Sequence, residues 1–110
     1  MITDILNAVG IQYRRGRFPS PPAETYAVYF DNISGEGADS VPVPVGVHLP
    51  GIQHHDIMVE VYEPAPNDEV ETAFEAELTA RGLSWSKQDR YWLQDVQRYQ
   101  VIYEFSYTTK

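Results

Sequence analysis

The stretch Gln97-Arg98-Tyr99-Gln100-Val101-Ile102-Tyr103-Glu104-Phe105-Ser106-Tyr107-Thr108 decides how this chain folds. Tyr99, Val101, Tyr103, Phe105 and Tyr107 alternate with their neighbours at a period of two, the pattern of a strand that buries one face. It is the longest strand the sequence predicts, and the other elements must cover or extend its apolar side. Just upstream, residues 83–88 read as a strand with Leu83 and Trp85 inward, Asp89-Arg90 as a turn, and residues 91–93 as the start of the return. Residues 68–81 form the best helix. Val70, Ala73, Phe74 and Leu78 recur at helical spacing and define a buried stripe, while Glu71, Glu75 and Glu77 are expected to face water. Asp68 with Glu71 fits a capping box, and Gly82 followed by Leu83 fits a Schellman stop.

Further outward, residues 54–63 read as a second clear strand, with Ile57, Val59 and Val61 on one face and Asp56, Met58, Glu60 and Tyr62 on the other. Residues 26–31 read as a third, with Tyr26, Val28 and Phe30 opposite Ala27, Tyr29 and Asp31. Residues 3–9 suit a short helix capped by Thr3 and stopped by Gly10, and an extended segment follows through Arg14-Arg15-Gly16-Arg17. Residues 32–53 form a long loop or arm. In its middle, Val41-Pro42-Val43-Pro44-Val45-Gly46-Val47 alternates valine with residues that weaken or cannot join a ladder, so it suits only an edge strand or a polyproline-like arm. The order is α-β-β-long loop-β-α-β-β. The natural closure is one α+β domain over residues 1–110: a single mixed or antiparallel sheet of about four to five strands, covered by two helices. Phe74, Leu78, Trp85, Val101 and Tyr103 are its expected core.

Composition narrows the function. The 110 residues carry 16 acids against 8 bases, a net charge of −8, which argues against phosphate binding as the main activity. There is no cysteine, so disulfides, thiolate nucleophiles and Cys-ligated metals are excluded, as suits a reducing compartment or a virion. No apolar run reaches the roughly 18 residues of a membrane span. Met1-Ile2-Thr3-Asp4 lacks the basic start of a secretion signal.

Catalytic constellations are weak. His48, His54 and Asp56 could supply metal ligands, with His54 and Asp56 on one strand face, and they define the enzymatic alternative, a small metal-dependent hydrolase. However, His54 and His55 point oppositely and no His or Cys follows them. The histidines are therefore expected to be replaceable together without loss of the fold. No G-x-S-x-G elbow occurs, and Gly35-Glu36-Gly37 lacks the lysine and helix of a phosphate loop. Asp56 and Glu60 share a face about 13 Å apart, too far for a glycosidase pair. No catalytic, cofactor or metal site is expected.

Several strings together resemble a known family. Tyr26-Ala27-Val28-Tyr29-Phe30-Asp31, Gly37-Ala38-Asp39 and His55-Asp56-Ile57-Met58-Val59-Glu60-Val61-Tyr62-Glu63 are followed by the acidic helix, Arg81-Gly82-Leu83 and Lys87. Tyr91-x-Leu93 and Tyr99-Gln100-Val101-Ile102-Tyr103-Glu104-Phe105 complete the pattern. Over residues 26–107 the chain resembles the tail terminator, or tail-completion, proteins among the head–tail joining genes of long-tailed phages and prophages. The resemblance implies an α+β subunit of a virion ring, typically a hexamer, that ends growth of the tail tube and meets the head connector or stopper protein. It implies no enzymatic activity, cofactor or metal. Another neck component, a stopper or adaptor, is the nearer alternative. The sequence departs from the family in its valine–proline stretch between Val41 and Leu49.

An acidic chain suits a channel that DNA passes without sticking, because like charge prevents counterion-release binding. The expected ring contacts are the arm side chains Val41, Val43, Val45, Val47 and Leu49 on a neighbouring subunit. Second candidates are Arg14, Arg15 and Arg17, meeting the acidic helix face around Glu71 and Glu75.

Overall fold

A computed structural model describes residues 1–35 and 53–109. The elements are α1 (Ile2–Val9), β1 (Gln12–Arg15), β2 (Tyr26–Gly35), β3 (Gln53–Glu63), α2 (Asp68–Ala80), β4 (Trp85–Lys87), β5 (Tyr91–Leu93) and β6 (Arg98–Thr109). The six strands make one mixed sheet in the order β1-β2-β3-β6-β4, with β5 also beside β6. β1 runs parallel to β2, and every other pair is antiparallel. The predicted class and the order of helices and strands hold, but residues 32–35 and Gln53, expected in the long loop, extend β2 and β3, and the rest of that loop lies outside the described residues. The strand count is six because the outer strand is broken in two.

That break corrects the expected turn at Asp89-Arg90. Lys87 pairs with Tyr103 and Tyr91 with Gln100, so four steps along the outer strand match three along β6. The extra residue is a bulge, not a hairpin. The chain instead reverses at residues 94–97, where Leu93 pairs with Arg98 and Gln97 takes φ 56.

Strand alternation sorts the sheet into two faces. Ala27, Ile57, Val59, Val61, Val101, Tyr103 and Phe105 face the helices and meet Ile2, Ile5 and Leu6 of α1 and Phe74 and Leu78 of α2. Four of the five expected core residues are fully buried. Trp85 is the exception: it lies on the outermost strand, half-buried against the edge of the Tyr103 ring, because no further strand covers its outer side.

Caps explain the helix limits. α1 begins at Ile2 with Met1 as N-cap and no side-chain cap, so the expected Thr3 cap is absent. Gly10 closes it at φ 86, where a side chain would be strained. α2 is capped one residue earlier than predicted. The Asn67 side chain accepts from the Val70 N–H at 3.2 Å while its amide donates to Thr25 Oγ1 at 3.0 Å. Asp68 is thereby the first helical residue, placed with Glu69 and Glu71 near the positive end of the helix dipole. At the other end Leu83 N–H bonds to Leu78 C=O and Gly82 N–H to Thr79 C=O, the predicted Schellman pair.

Candidate functional site

The densest chemistry lies where the start of α2 packs over the outer strand. β3 delivers Glu63 to the helix-facing side, in the same alternation as Val59 and Val61, and α2 delivers Glu71 on the Phe74–Leu78 stripe. Both carboxylates are buried, at 0% and 4% exposure. The outer strand answers with Lys87 in β4 and Arg90 in the bulge. Lys87 Nζ lies 2.8 Å from Glu71 and 2.9 Å from Glu75, while Arg90 reaches Glu71, Asp68 at 2.8 Å and Glu63 at 3.2 Å. Glu75 also accepts the Tyr103 hydroxyl at 2.7 Å, which satisfies the polar end of a ring otherwise sealed in the core.

The electrostatics divide the two buried acids. Burial, then the adjacent Glu71 carboxylate, pushes the Glu63 carboxyl up to about 7. The Arg90 guanidinium near Glu63 is out of line for a hydrogen bond, so it opposes this only in part. Burial opposes ionisation of Glu71 as well, but bonds from Lys87, Arg90 and Glu63 hold its carboxyl below the usual carboxylate range. One carboxylate and one carboxyl that shares its proton thus sit between two cations. The arrangement locks a helix to a strand.

This geometry corrects the prediction of an acidic helix face turned to water. Glu71 and Glu75 do not form a water-facing acidic surface, because both are consumed by Lys87, Arg90 and Tyr103 within the subunit. Glu63 and Lys87 were open to detection, since strand parity places them inward beside Val61 and Trp85. Arg90 was not, because its position depends on the bulge.

Arg14 and Arg15 lie on β1, an outer strand of the sheet, and Arg17 follows it; all three are exposed. Among the described residues they meet no carboxylate side chain, and Arg15 reaches only the Asp31 carbonyl at 3.4 Å. The arm residues Val41, Val43, Val45, Val47 and Leu49 lie outside the described residues, as does His48.

The histidines part company. His54 and Asp56 are exposed on the face away from the helices. His55 is 8% exposed on the helix-facing side: its Nδ1 lies 3.1 Å from both Asp31 carboxylate oxygens and its Nε2 3.0 Å from Thr109 Oγ1. Its ring stacks on Tyr107 at 4.5 Å. It therefore clasps β2, β3 and β6 together, which overturns the expectation that all three histidines are replaceable. Among the described residues no three His, Cys, Asp or Glu side chains come together to hold a metal.

The other sheet face carries Val28, Phe30, Met58 and Ile102 among Glu60, Glu104 and Asp56. A hollow of about 530 Å³ lies at its upper end, bordered by Asn32, Asp56, Met58, Ser86, Glu104 and Ser106. Register separates the carboxylates: Glu60 faces Ile102, Glu104 faces Met58 and Asp56 faces Ser106. No acid pair stands directly opposite another. Lower down, Tyr91 donates to Gln100, Gln100 to Tyr62 at 2.9 Å, and Tyr62 to Glu60 at 2.9 Å, a polar chain across three strands. The crossing loop covers the corner beside it, with Phe18 against Tyr26 and Arg98 donating to the Pro22 and Ala23 carbonyls.

Comparison with known proteins yields a likeness of fold. No family model and no curated protein matches the chain. Among solved structures, a chain from the virion of the native gene transfer agent (GTA) particle is similar, with a TM-score of 0.52 at 14% identity. The match covers 93% of this chain and 81% of that one.

Proposed function

We propose that this protein is a structural subunit of a phage-like virion, a tail terminator or tail-completion protein that rings the end of the tail tube and joins it to the head connector. The observation that carries this reading is the likeness of fold, over 93% of the chain, to a chain of a gene transfer agent virion. It agrees in direction with the sequence resemblance over residues 26–107. The role is architectural, with no catalytic step, cofactor or resident metal, and assembly takes place in the host bacterial cytoplasm. Two further features support it. The perturbed acids are spent on holding α2 to the outer strand, and a net charge of −8 suits a passage for DNA that must not adhere. Partners are other copies of the chain, the tail tube protein and the connector or stopper.

The test is deletion of the gene from a particle-producing strain, with electron microscopy and protein analysis of purified particles. Expected are headless tails of unregulated length, unattached heads, and the protein present in wild-type particles near the neck. Normal particles without the protein would refute the virion role. Tails of normal length that fail only to join heads would favour the stopper or adaptor reading.

A further inference from the structure

β2 outlasts the strand beside it. β1 pairs Gln12–Arg15 with Tyr26–Tyr29 and stops, while β2 runs on to Gly35. The stop is local: Gly16 takes φ 83, and the Arg17 N–H turns back to the Arg15 carbonyl at 3.1 Å. From Phe30 to Gly35, β2 is paired with β3 on one side, and among the described residues no strand lies on the other.

Alternation identifies the backbone groups left at that margin. A strand residue turns its N–H and C=O to one side, and its neighbours turn theirs to the other. Tyr29 C=O accepts the Gly16 N–H at 3.0 Å, and Asp31 C=O accepts from Arg15 Nη2 at 3.4 Å, so the odd-numbered residues face the margin. Asp31 and Ile33 therefore each present an N–H and a C=O there. The Ile33 side chain is 52% exposed on the helix-facing side, and Phe30 and Asn32 lie on the other face. Outer strands are usually blunted by lysine, proline or a bulge. Residues 30–35 contain neither residue and pair with β3 without a break. Asp31, the charge among them, is engaged by His55 and so does little to repel an approaching chain.

The foot of this slot is basic. By strand parity Arg15, beside Tyr29, belongs to the helix-facing side, and Arg14, beside Val28, to the opposite face. Both are exposed, as is Arg17, and no carboxylate side chain among the described residues meets any of the three. A strand entering the slot has one guanidinium on each face of its end nearest β1. An acidic side chain at that end is matched whichever face it takes.

We infer that the margin of β2 beyond Tyr29 receives an extended segment of a different protein as an added strand, in line with β1. The segment carries Asp or Glu at the end beside Arg14 and Arg15, an apolar side chain beside Ile33, and no proline where it faces Asp31 and Ile33. Backbone hydrogen bonds supply the attachment, and the alternating side chains select the partner. The inference rests on the virion reading only for its setting, in which the donor is another particle protein.

The test places the photo-cross-linking amino acid p-benzoylphenylalanine at Asn32, which is exposed next to the margin, in a particle-producing strain. Whole cells and purified particles are irradiated, and the products are mapped by mass spectrometry. The expected product joins position 32 to another protein, in a proline-free run within a few residues of an Asp or Glu. Ile33→Pro removes an N–H that faces the margin and spares the bonds to β3, so it should cut the product several-fold at a near-normal urea midpoint. Ile33→Thr keeps that N–H and should retain the product. Arg14→Glu with Arg15→Glu should also cut it several-fold, which decides the matter even if Ile33→Pro fails to fold. A product formed only with a second copy, no product, or a product unmoved by folded Ile33→Pro or by the arginine changes would overturn the inference. Irradiating whole cells keeps the two readings apart. A chain absent from particles refutes the virion role while the cross-link stands or falls by itself, and a chain in particles without the cross-link refutes only the added strand.

Discussion

Replacing Glu63 by glutamine isolates the buried charge network. Glu63 has no exposed surface, and burial followed by the nearby Glu71 carboxylate raises its carboxyl from the ordinary 4.5 to about 7. Between those values the folded chain holds a proton that the unfolded chain has released, so stability falls as pH rises across that window. Below it both states are protonated, and above it both are ionised, so the contribution is flat on either side. At about 1.4 kcal/mol per tenfold change in proton affinity, the loss amounts to roughly 3 kcal/mol. Glutamine keeps the shape and neutrality of the protonated acid, and its amide can still donate to Glu71. Glu63→Gln should therefore match the wild type near pH 4.5 and exceed its stability by up to roughly 3 kcal/mol near pH 8. Urea unfolding of both proteins across that range measures the difference, in which the titration of every other group cancels to first order. A difference that stays constant with pH would refute the reasoning, as would a variant less stable than wild type near pH 8. Either result would mean that Arg90 keeps Glu63 ionised despite its burial.

Two further predictions concern the fold. Phe74→Ala empties a fully buried site against Tyr103 and should cost about 3–5 kcal/mol, read as a lower urea midpoint at unchanged slope. His55→Ala should cost about 1–3 kcal/mol by leaving Asp31 and Thr109 without their partner, whereas His54→Ala on the exposed face should be nearly silent by the same measurement.

Much of the fold was legible because strand parity and helical spacing report burial directly. The alternation from Tyr99 to Tyr107 predicted one inward face, and Val101, Tyr103 and Phe105 are buried on it. Ile57, Val59 and Val61 did the same for β3. What failed was chemistry set by tertiary partners. Asp89-Arg90 has turn composition, yet the length of β6 lets the outer strand continue past it through a bulge. Glu71 is a charged residue, and charge usually means water. Its position three residues before Phe74 and seven before Leu78 nevertheless places it on the buried stripe, where Lys87 and Arg90 make burial tolerable. His54 and His55 read as pointing oppositely, but parity does not supply the partners that fix the inward one, Asp31 on β2 and Thr109 on β6.

The same pairing decides which charges remain for contact with other molecules. The chain has only eight basic side chains against sixteen acids, so each base placed inside the subunit removes one from its surface. Lys87 and Arg90 are bound to α2 and Glu63, Arg81 pairs with Glu77, and Arg98 donates to loop carbonyls. These four hold elements to one another, and all of them lie after the start of α2 in sequence. The bases on β1 and just after it do no comparable internal work among the described residues, and they stand at the sheet margin opposite β4. A subunit built this way is electrically polar from one side of its sheet to the other.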